Sequence, residues 1–397
     1  MIKKILCLLL CLLFCVCTAE SAQEDPAAFR EAHEDSVAFN AVRTLCRIGT
    51  DDLSVWACDR VVKRPSAAWD LITKFDSGWF STIRSFEYRD FRSENWIITS
   101  DTTFECDVYG VEHIVFAATN VQVDYELGYH LCFELKDKYH DTWMLTDFNC
   151  LPIAAEAEKA ARLTAESEGI TIHPVTGKSF RGYMMVVEDP SRVFVGTTPV
   201  FDSSKGGMRI NALVERYGAV AAVNGGGFED KNGGGNGAKP AGYLVSEGTV
   251  KSYNAPGNTG CNVIMGFTRD NKLIVGKFQN AELEALQLRD ALAFHPALLI
   301  DGAPVAITEK RVTYTARTAI GQDADGRVLF LVLQGRQPDC LGASYEDEQQ
   351  IMLSFGAVTA GNLDGGNSTA MYLNGESVYS AYPMDVSRRM PATFLIK

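Results

Sequence analysis

The sequence predicts two units of different character: a small α+β unit with an antiparallel sheet, then a larger α+β or mixed α/β domain. Three observations lead there. At 397 residues the chain is long for a single core. Between about 96 and 150 the hydrophobic pattern alternates with period two. Beyond about 170 it changes to short, continuous apolar runs between glycine-rich turns, with few helices, as expected for strands covered on both faces. A hydrophobic content of 46% and a charged content of 22% are those of a globular chain.

Residues 1–22 read as a secretory signal peptide. Lys3 and Lys4 precede an apolar run from Ile5 to Cys17, and small residues follow, with cleavage after Ala19 or Ala22. The run is short for a membrane span, and Phe14 and Val16 stand where a lipoprotein box needs small residues. A secreted or envelope-associated protein is expected. Of 11 cysteines, Cys7, Cys11, Cys15 and Cys17 lie in this leader. An exported chain could join a pair among Cys46, Cys58, Cys106, Cys132 and Cys150, with Cys261 and Cys340 further on. The mature part has no C-x-x-C pair, which argues against a thiolate zinc site. The net charge is −13, with no Lys/Arg run, so nucleic acid and anionic membranes are not expected partners.

Residues 23–152 form the first unit. Residues 25–75 read mainly as helix, through AAFREAHEDSVAFNAVRTLCRI and AAWDLITKF. ENWIITSDTTFECDVYG, HIVFAATNVQVDYE, LGYHLCFELKD and DTWMLTDFNCL read as strands, with YG and KDKYHD as turns. A helical layer on a curved antiparallel sheet fits this order. The aromatics Trp96, Tyr109, Tyr129 and Trp143 suit either a core or a glycopolymer contact. Residues 153–170 carry a linker helix, AAEAEKAARLTAES, which marks the domain boundary.

In residues 171–397, YMMVVED, AVAAVN, NVIMGF, KLIVGKF, ALLIDG, RVLFLVLQG and AVTAGN read as buried strands. Two helices, MRINALVERYG and SYEDEQQIMLSFG, end at Gly218 and Gly356, residues suited to a left-handed stop. Ser344 and Asp347 have capping-box spacing. The two helices begin an internal echo: each is followed by a glycine, a buried strand, an Asn (Asn224, Asn362) and a glycine pair. Two such units would place two polar loops at one sheet edge and build one pocket from both.

Several familiar sites are excluded. Ile172 replaces the first glycine of a phosphate loop before Gly177-Lys178-Ser179. No His follows Ser368 to complete a hydrolase triad. Only His173 and His295 lie in the second domain, which disfavours a multi-histidine metal centre there. What remains is polar residues at the ends of buried strands: Asn224, Arg317, Thr318, Arg336, Asp364, Ser368 and Thr369. Two arginines can hold a phosphate through forked hydrogen bonds. Glycine-rich turns let N–H groups approach an anion. A carboxylate and amides suit sugar hydroxyls, and a carboxylate can work at an anomeric carbon. Together they describe a site for a sugar phosphodiester.

The stretches AVAAVNGGGF, KPAGYLVSEG, HPALLIDG, RTAIGQDADGR, GRQPDCLGASYEDEQQIM and NLDGGNSTAMYLNG, in this order, resemble the phosphodiester glycosidase family over about 175–397. The resemblance implies an α/β-type domain with a mixed sheet. It implies hydrolysis of a sugar-1-phosphodiester, with an N-acetylglucosamine-like sugar as one candidate, to leave a phosphomonoester. It carries functional weight onto Asn224, Arg317, Thr318, Arg336, Asp364, Gly365, Ser368 and Thr369. The candidate catalytic residues are Asp364, Arg317, Arg336 and Asn224, and the candidate substrate-binding residues are Gly225, Phe228, Thr318, Gly342, Gly365, Ser368 and Thr369. Under the resemblance, the arginines hold phosphate, Asp364 acts at the anomeric carbon or as proton donor, and Asn224, Ser368 and Thr369 position the sugar. The chain departs from the pattern at Gly227, Glu229, Cys340 and Asn367, which bears on the choice of sugar. No second carboxylate stands out, so Asp301 or Glu229 would have to join, or phosphate leaves with little protonation. No cofactor is required; a divalent cation could assist, without a convincing ligand set. Two other readings share these residues: a non-catalytic envelope protein that binds anionic glycopolymers, and a metal-dependent phosphodiesterase.

Overall fold

The computed structural model describes residues 62–63, 83–100, 102–116, 122–137, 142–229, 235–253, 262–308, 314–335, 340, 342–381 and 387–397. The signal peptide and nearly all of the helical stretch expected at 25–75 lie outside these. Within that stretch, Val62–Lys63 is a short strand, β1. It joins β2 (Ile83–Ser100), β3 (Thr103–Phe116), β4 (Gln122–Asp137) and β5 (Thr142–Cys150) in a sheet of order β1-β5-β4-β3-β2.

The alternation read from the sequence is the burial pattern of this sheet. Phe104, Cys106 and Val108 of β3 and Tyr129, Leu131 and Phe133 of β4 point into a buried face. Their neighbours Glu105, Asp107, His130 and Cys132 point the other way. The expected turn at Tyr109-Gly110 is corrected: both residues continue β3, paired with Gly128 and Leu127 of β4. A glycine in a long antiparallel strand is tolerated where its partner strand keeps the register. Two of the four aromatics suited to hold glycopolymer are occupied in packing. Tyr129 is buried, and Trp96 stacks on buried Phe104 at 5.0 Å. The described cysteines Cys106, Cys132, Cys150 and Cys340 carry thiols, not disulfides.

The boundary helix is α1 (Ala154–Ala165). It is no free linker. Ala160 and Leu163 enter the core of the second domain, Lys159 Nζ donates to Ser377 O at 2.6 Å, and Arg162 meets Glu376 at 2.7 Å. After it come β6 (Ile170–Thr176), β7 (Arg181–Val187), β8 (Val193–Thr197), α2 (Ile210–Tyr217) and β9 (Ala221–Asn224). The chain continues through β10 (Tyr243–Ser246), β11 (Thr249–Tyr253), β12 (Val263–Phe267), β13 (Leu273–Gly276), α3 (Asn280–Leu286) and β14 (Asp290–Phe294). Then follow β15 (Ala297–Ile300), β16 (Ala303–Pro304), β17 (Arg317–Asp323), β18 (Val328–Leu333) and α4 (Tyr345–Ser354). The last strands are β19 (Ala357–Asn362), β20 (Ala370–Leu373), β21 (Glu376–Ser380) and β22 (Ala392–Ile396).

These strands make three sheets: β16-β15-β19-β17-β18-β7-β6, β21-β20-β9-β22-β8, and β11-β10-β14-β12-β13. The seven-stranded sheet lies in the middle. On β18, Val328, Phe330 and Val332 face a core shared with the other two sheets, while Leu329, Leu331 and Leu333 face α4. Burial on both faces explains the unbroken apolar run VLFLVL. The expected mixed sheet is corrected: every pairing between described strands of these three sheets is antiparallel. Neighbouring sheets, not helices, cover much of the second face, so continuous apolar runs arise without β-α-β crossovers.

The local helix signals are found in place. Gly218 and Gly356 follow their helices at φ 60° and 82°. Ser344 Oγ accepts from Asp347 N at 3.1 Å, and Asp347 Oδ2 accepts from Ser344 N at 2.8 Å.

Candidate active site

The two echoing loops meet, although not at one sheet edge. Asn224 ends β9 in a five-stranded sheet, and Asn362 ends β19 in the seven-stranded one. The loops after them are tied across the gap between the sheets. Asn224 Nδ2 donates to Asp364 O at 2.6 Å, and Asp364 N donates to Gly225 O at 3.2 Å. Asn224 Oδ1 accepts from Thr318 Oγ1 at 2.8 Å and from Ala370 N at 3.0 Å. Leu363 N bonds Thr318 O at 2.7 Å, and Gly366 N bonds Ala316 O at 2.7 Å. Three chain segments therefore converge on the Asp364 turn.

This arrangement separates the residues expected from the sequence. Asn224 is 1% exposed and Thr318 fully buried. Asn224 directs its amide into bonds with three protein partners, so it braces the loops and is poorly placed to hold sugar. Asp364 is half-buried, with Oδ1 accepting from Gly365 N at 3.0 Å. Gly366 continues the turn at φ 58°, a conformation that glycine adopts freely. Ser368 and Thr369 are buried next to it, and neither hydroxyl has a hydrogen-bond partner among the described residues. Buried polar groups left unmatched are uncommon and are aimed, in many sites, at a ligand or water. Asn367 is exposed on the same turn.

Arg317 begins β17 and is 4% exposed. Its Nε donates to Ala343 O at 3.0 Å, and its guanidinium lies 3.8 Å from the centroid of the Tyr345 ring. Gly342 shapes that support. Its φ is 122°, and a Cβ there would stand 2.4 Å from Thr315 backbone atoms. Arg336 lies outside the described residues. Phe228 is buried: its backbone forms an isolated antiparallel bridge with Pro240, and the Arg388 guanidinium covers its ring at 4.8 Å.

Neither candidate for a second carboxylate is placed for the role. Asp301 is exposed in the tight turn joining β15 and β16, with φ 50°, and Glu229 is exposed after the β9 loop. The residue that sequence reasoning missed is Glu348, on the inward side of α4. It is fully buried, and neither carboxyl oxygen has a hydrogen-bond partner among the described residues. Burial pushes its pKa up to about 8 against the opposing pull of the Arg317 charge, with Asp347 adding to the rise. At neutral pH Glu348 is thus mostly a neutral acid, and it does little to offset the positive charge of Arg317.

A cleft of about 370 Å³ is lined by residues of β4, α1, β7 and β21 and by Gln334. Tyr125 and Glu126 of β4 form one wall, and Arg181, Gln334 and Tyr379 another. Arg181 pairs with Glu156 of α1 at 3.2 Å, and Glu156 also accepts from Gln334 Nε2 at 2.7 Å. Gly335 N donates to Tyr379 Oη at 3.4 Å, and a Cβ on Gly335 would touch Ala316 N at 2.3 Å. The cleft thus borders the segment just before Arg317. Among the described residues of 170–397, no cluster of three metal-ligating side chains occurs, and no described helix is long and apolar enough to cross a membrane.

Residues 217–397 match the phosphodiester glycosidase family. The chain is 27% identical over 202 residues to the SPbeta prophage-derived uncharacterized protein YomE of Bacillus subtilis strain 168, covering 48% of this chain. That match spans only 29% of the relative's own length. Among solved structures, the chain is similar to the zebrafish N-acetylglucosamine-1-phosphodiester alpha-N-acetylglucosaminidase catalytic domain auto-inhibited by pro-peptide. The TM-score is 0.47 at 20% identity, over 58% of this chain and 84% of the other. A hypothetical protein from Synechocystis aligns with a TM-score of 0.41 at 13% identity, over 79% of this chain and 81% of the other.

Proposed function

We propose, from the premise that residues 217–397 belong to the phosphodiester glycosidase family, that this protein is an exported hydrolase of sugar-1-phosphodiesters. It releases the sugar and leaves a phosphomonoester, acting on an envelope or extracellular glycopolymer. The observation that carries the reading is the Asp364 turn. A half-buried carboxylate is held beside two buried hydroxyls without partners among the described residues, Ser368 and Thr369, by the Asn224 brace.

In this reading the Asp364 carboxylate faces the anomeric carbon, where positive charge develops as the C1–O bond breaks. The bond's electron pair goes to the phosphate oxygen, and water supplies oxygen to C1. A phosphate is a good leaving group, so strong acid catalysis is dispensable. Arg317 meets the phosphate, and a protonated Glu348 does not compete for its charge. Ser368 and Thr369 bind sugar hydroxyls, and exposed Asn367 tunes which sugar fits.

The test is hydrolysis of an aryl diester of α-N-acetylglucosamine-1-phosphate in oxygen-18 water. Label is expected in the sugar; label in the phosphate means P–O cleavage and a different reaction. Asp364→Asn is expected to lower kcat by at least about 10³-fold with little change in stability. Near-wild-type turnover in that variant removes Asp364 from the mechanism.

A further inference from the structure

The solvent side of the first sheet carries a second constellation, unconnected with the Asp364 turn. Glu105 of β3 is paired in register with Cys132 of β4, and Asp107 with His130. Period-two geometry points all four side chains to the same face. Cys132 Sγ lies 3.7 Å from His130 Nε2 and 3.8 Å from Glu105 Oε2, and His130 Nε2 lies 3.7 Å from Glu105 Oε2. One thiol, one imidazole nitrogen and one carboxylate oxygen therefore make a nearly equilateral triangle. His130 and Glu105 are each 31% exposed, so one side of it is open to water.

We propose that Glu105, His130 and Cys132 bind a zinc ion. Zinc takes thiolate at ~2.3 Å, imidazole at ~2.0–2.1 Å and carboxylate at ~2.0–2.2 Å. At tetrahedral angles those bonds separate the donors by roughly 3.3–3.6 Å. The observed triangle is wider by a few tenths of an ångström, which small side-chain rotations close. A mixed sulfur, nitrogen and oxygen set suits borderline-soft zinc and disfavours calcium or magnesium, which need oxygen ligands.

The surroundings of His130 support the assignment independently. Its Nδ1 meets Asp107 Oδ1 at 2.7 Å, and Asp107 Oδ2 accepts from Asn95 Nδ2 at 2.7 Å. This fixes Nδ1 as the protonated nitrogen and leaves Nε2, the one in the triangle, to present its lone pair to a metal. The carboxylate–histidine pairing is the one that orients imidazole ligands in zinc sites. Asp147 lies opposite Cys132 on β5 and is paired with Lys178 at 2.6 Å. With three protein donors, the fourth position falls to water or an exchangeable anion.

The test uses the full mature chain, stripped with a chelator and titrated with Zn²⁺ against a chromophoric competitor, and separately with Co²⁺. One equivalent is expected to bind, with the thiolate-to-cobalt charge-transfer absorption in the near ultraviolet. Cys132→Ser should abolish that band and weaken zinc binding at least tenfold. Asp107→Asn should keep the band and weaken binding by roughly 10–100-fold, as loss of an orienting partner does. Both side chains lie on the solvent face, and circular dichroism confirms that the variants fold. Less than one equivalent bound, no charge-transfer band, or Cys132→Ser binding like the wild type overturns the proposal.

Discussion

Replacing Glu348 by glutamine should change how stability depends on pH, by an amount the structure sets. In the unfolded chain the carboxyl titrates at 4.5, and in the fully buried folded site at about 8. The folded state thus holds this proton more tightly. The stabilisation is complete below pH 4.5 and is lost progressively as pH rises from there to about 8, above which both states are ionised. A shift of this size at about 1.4 kcal/mol per unit makes roughly 5 kcal/mol. The glutamine amide cannot ionise, so the Glu348→Gln protein lacks this loss, while all other titrating groups are shared. The assay is urea unfolding of both proteins at intervals from about pH 4 to pH 9. Glu348→Gln should gain on the wild type by about 3 kcal/mol between pH 4 and pH 7, and level off near roughly 5 kcal/mol above pH 8. Parallel profiles, separated by a constant amount within about 1 kcal/mol, would refute the burial of an ionisable acid at this position.

Two further substitutions probe the frame of the site. Asn224→Ala removes three hydrogen bonds, two of them buried, and strands their partners, which should cost about 4 kcal/mol in urea unfolding. An effect under about 1 kcal/mol would mean that the loops hold without the brace. Gly342→Ala forces an L residue to φ 122° with its Cβ against Thr315, at about 3 kcal/mol. Because Ala343 O accepts from Arg317 Nε, the same change should raise KM for the diester; unchanged stability and KM would remove Gly342 from the support of Arg317.

Much of the local structure is legible in the residues themselves. The capping pair Ser344 and Asp347 and the stop glycines Gly218 and Gly356 act over three or four residues, and they are found where their chemistry puts them. Continuous apolar runs report burial on two faces correctly but do not say what covers them, so an antiparallel stack and a mixed sheet look alike in sequence. Tyr109-Gly110 has a turn-like composition, yet the thirteen-residue pairing of β3 with β4 carries it through as strand. Glu348 gives no signal of its own, because an acidic helix start such as YEDEQQ is ordinarily solvated. Here two of the three buried residues of α4 are polar: Glu348 and Gln349 share the inward side with Met352, and Gln349 Nε2 donates to Leu298 O and Val305 O. With polar and apolar residues mixed on that face, periodicity does not show that Glu348 is buried.

By itself the sequence misplaced the hairpins of the first sheet, but it marked part of the strands, their alternating or continuous burial, two helix ends, and the polar, glycine-rich composition of the loops. These follow from interactions between near neighbours in the chain. Only the tertiary structure decided that Asn224 braces the Asp364 turn across two sheets, and that Glu348 is sealed beside Arg317. It alone decided that an E-x-D and an H-x-C, each unremarked in its own strand, lie side by side. Contacts of this kind depend on strand register and on how sheets stack, and these are set by the packing of the whole core.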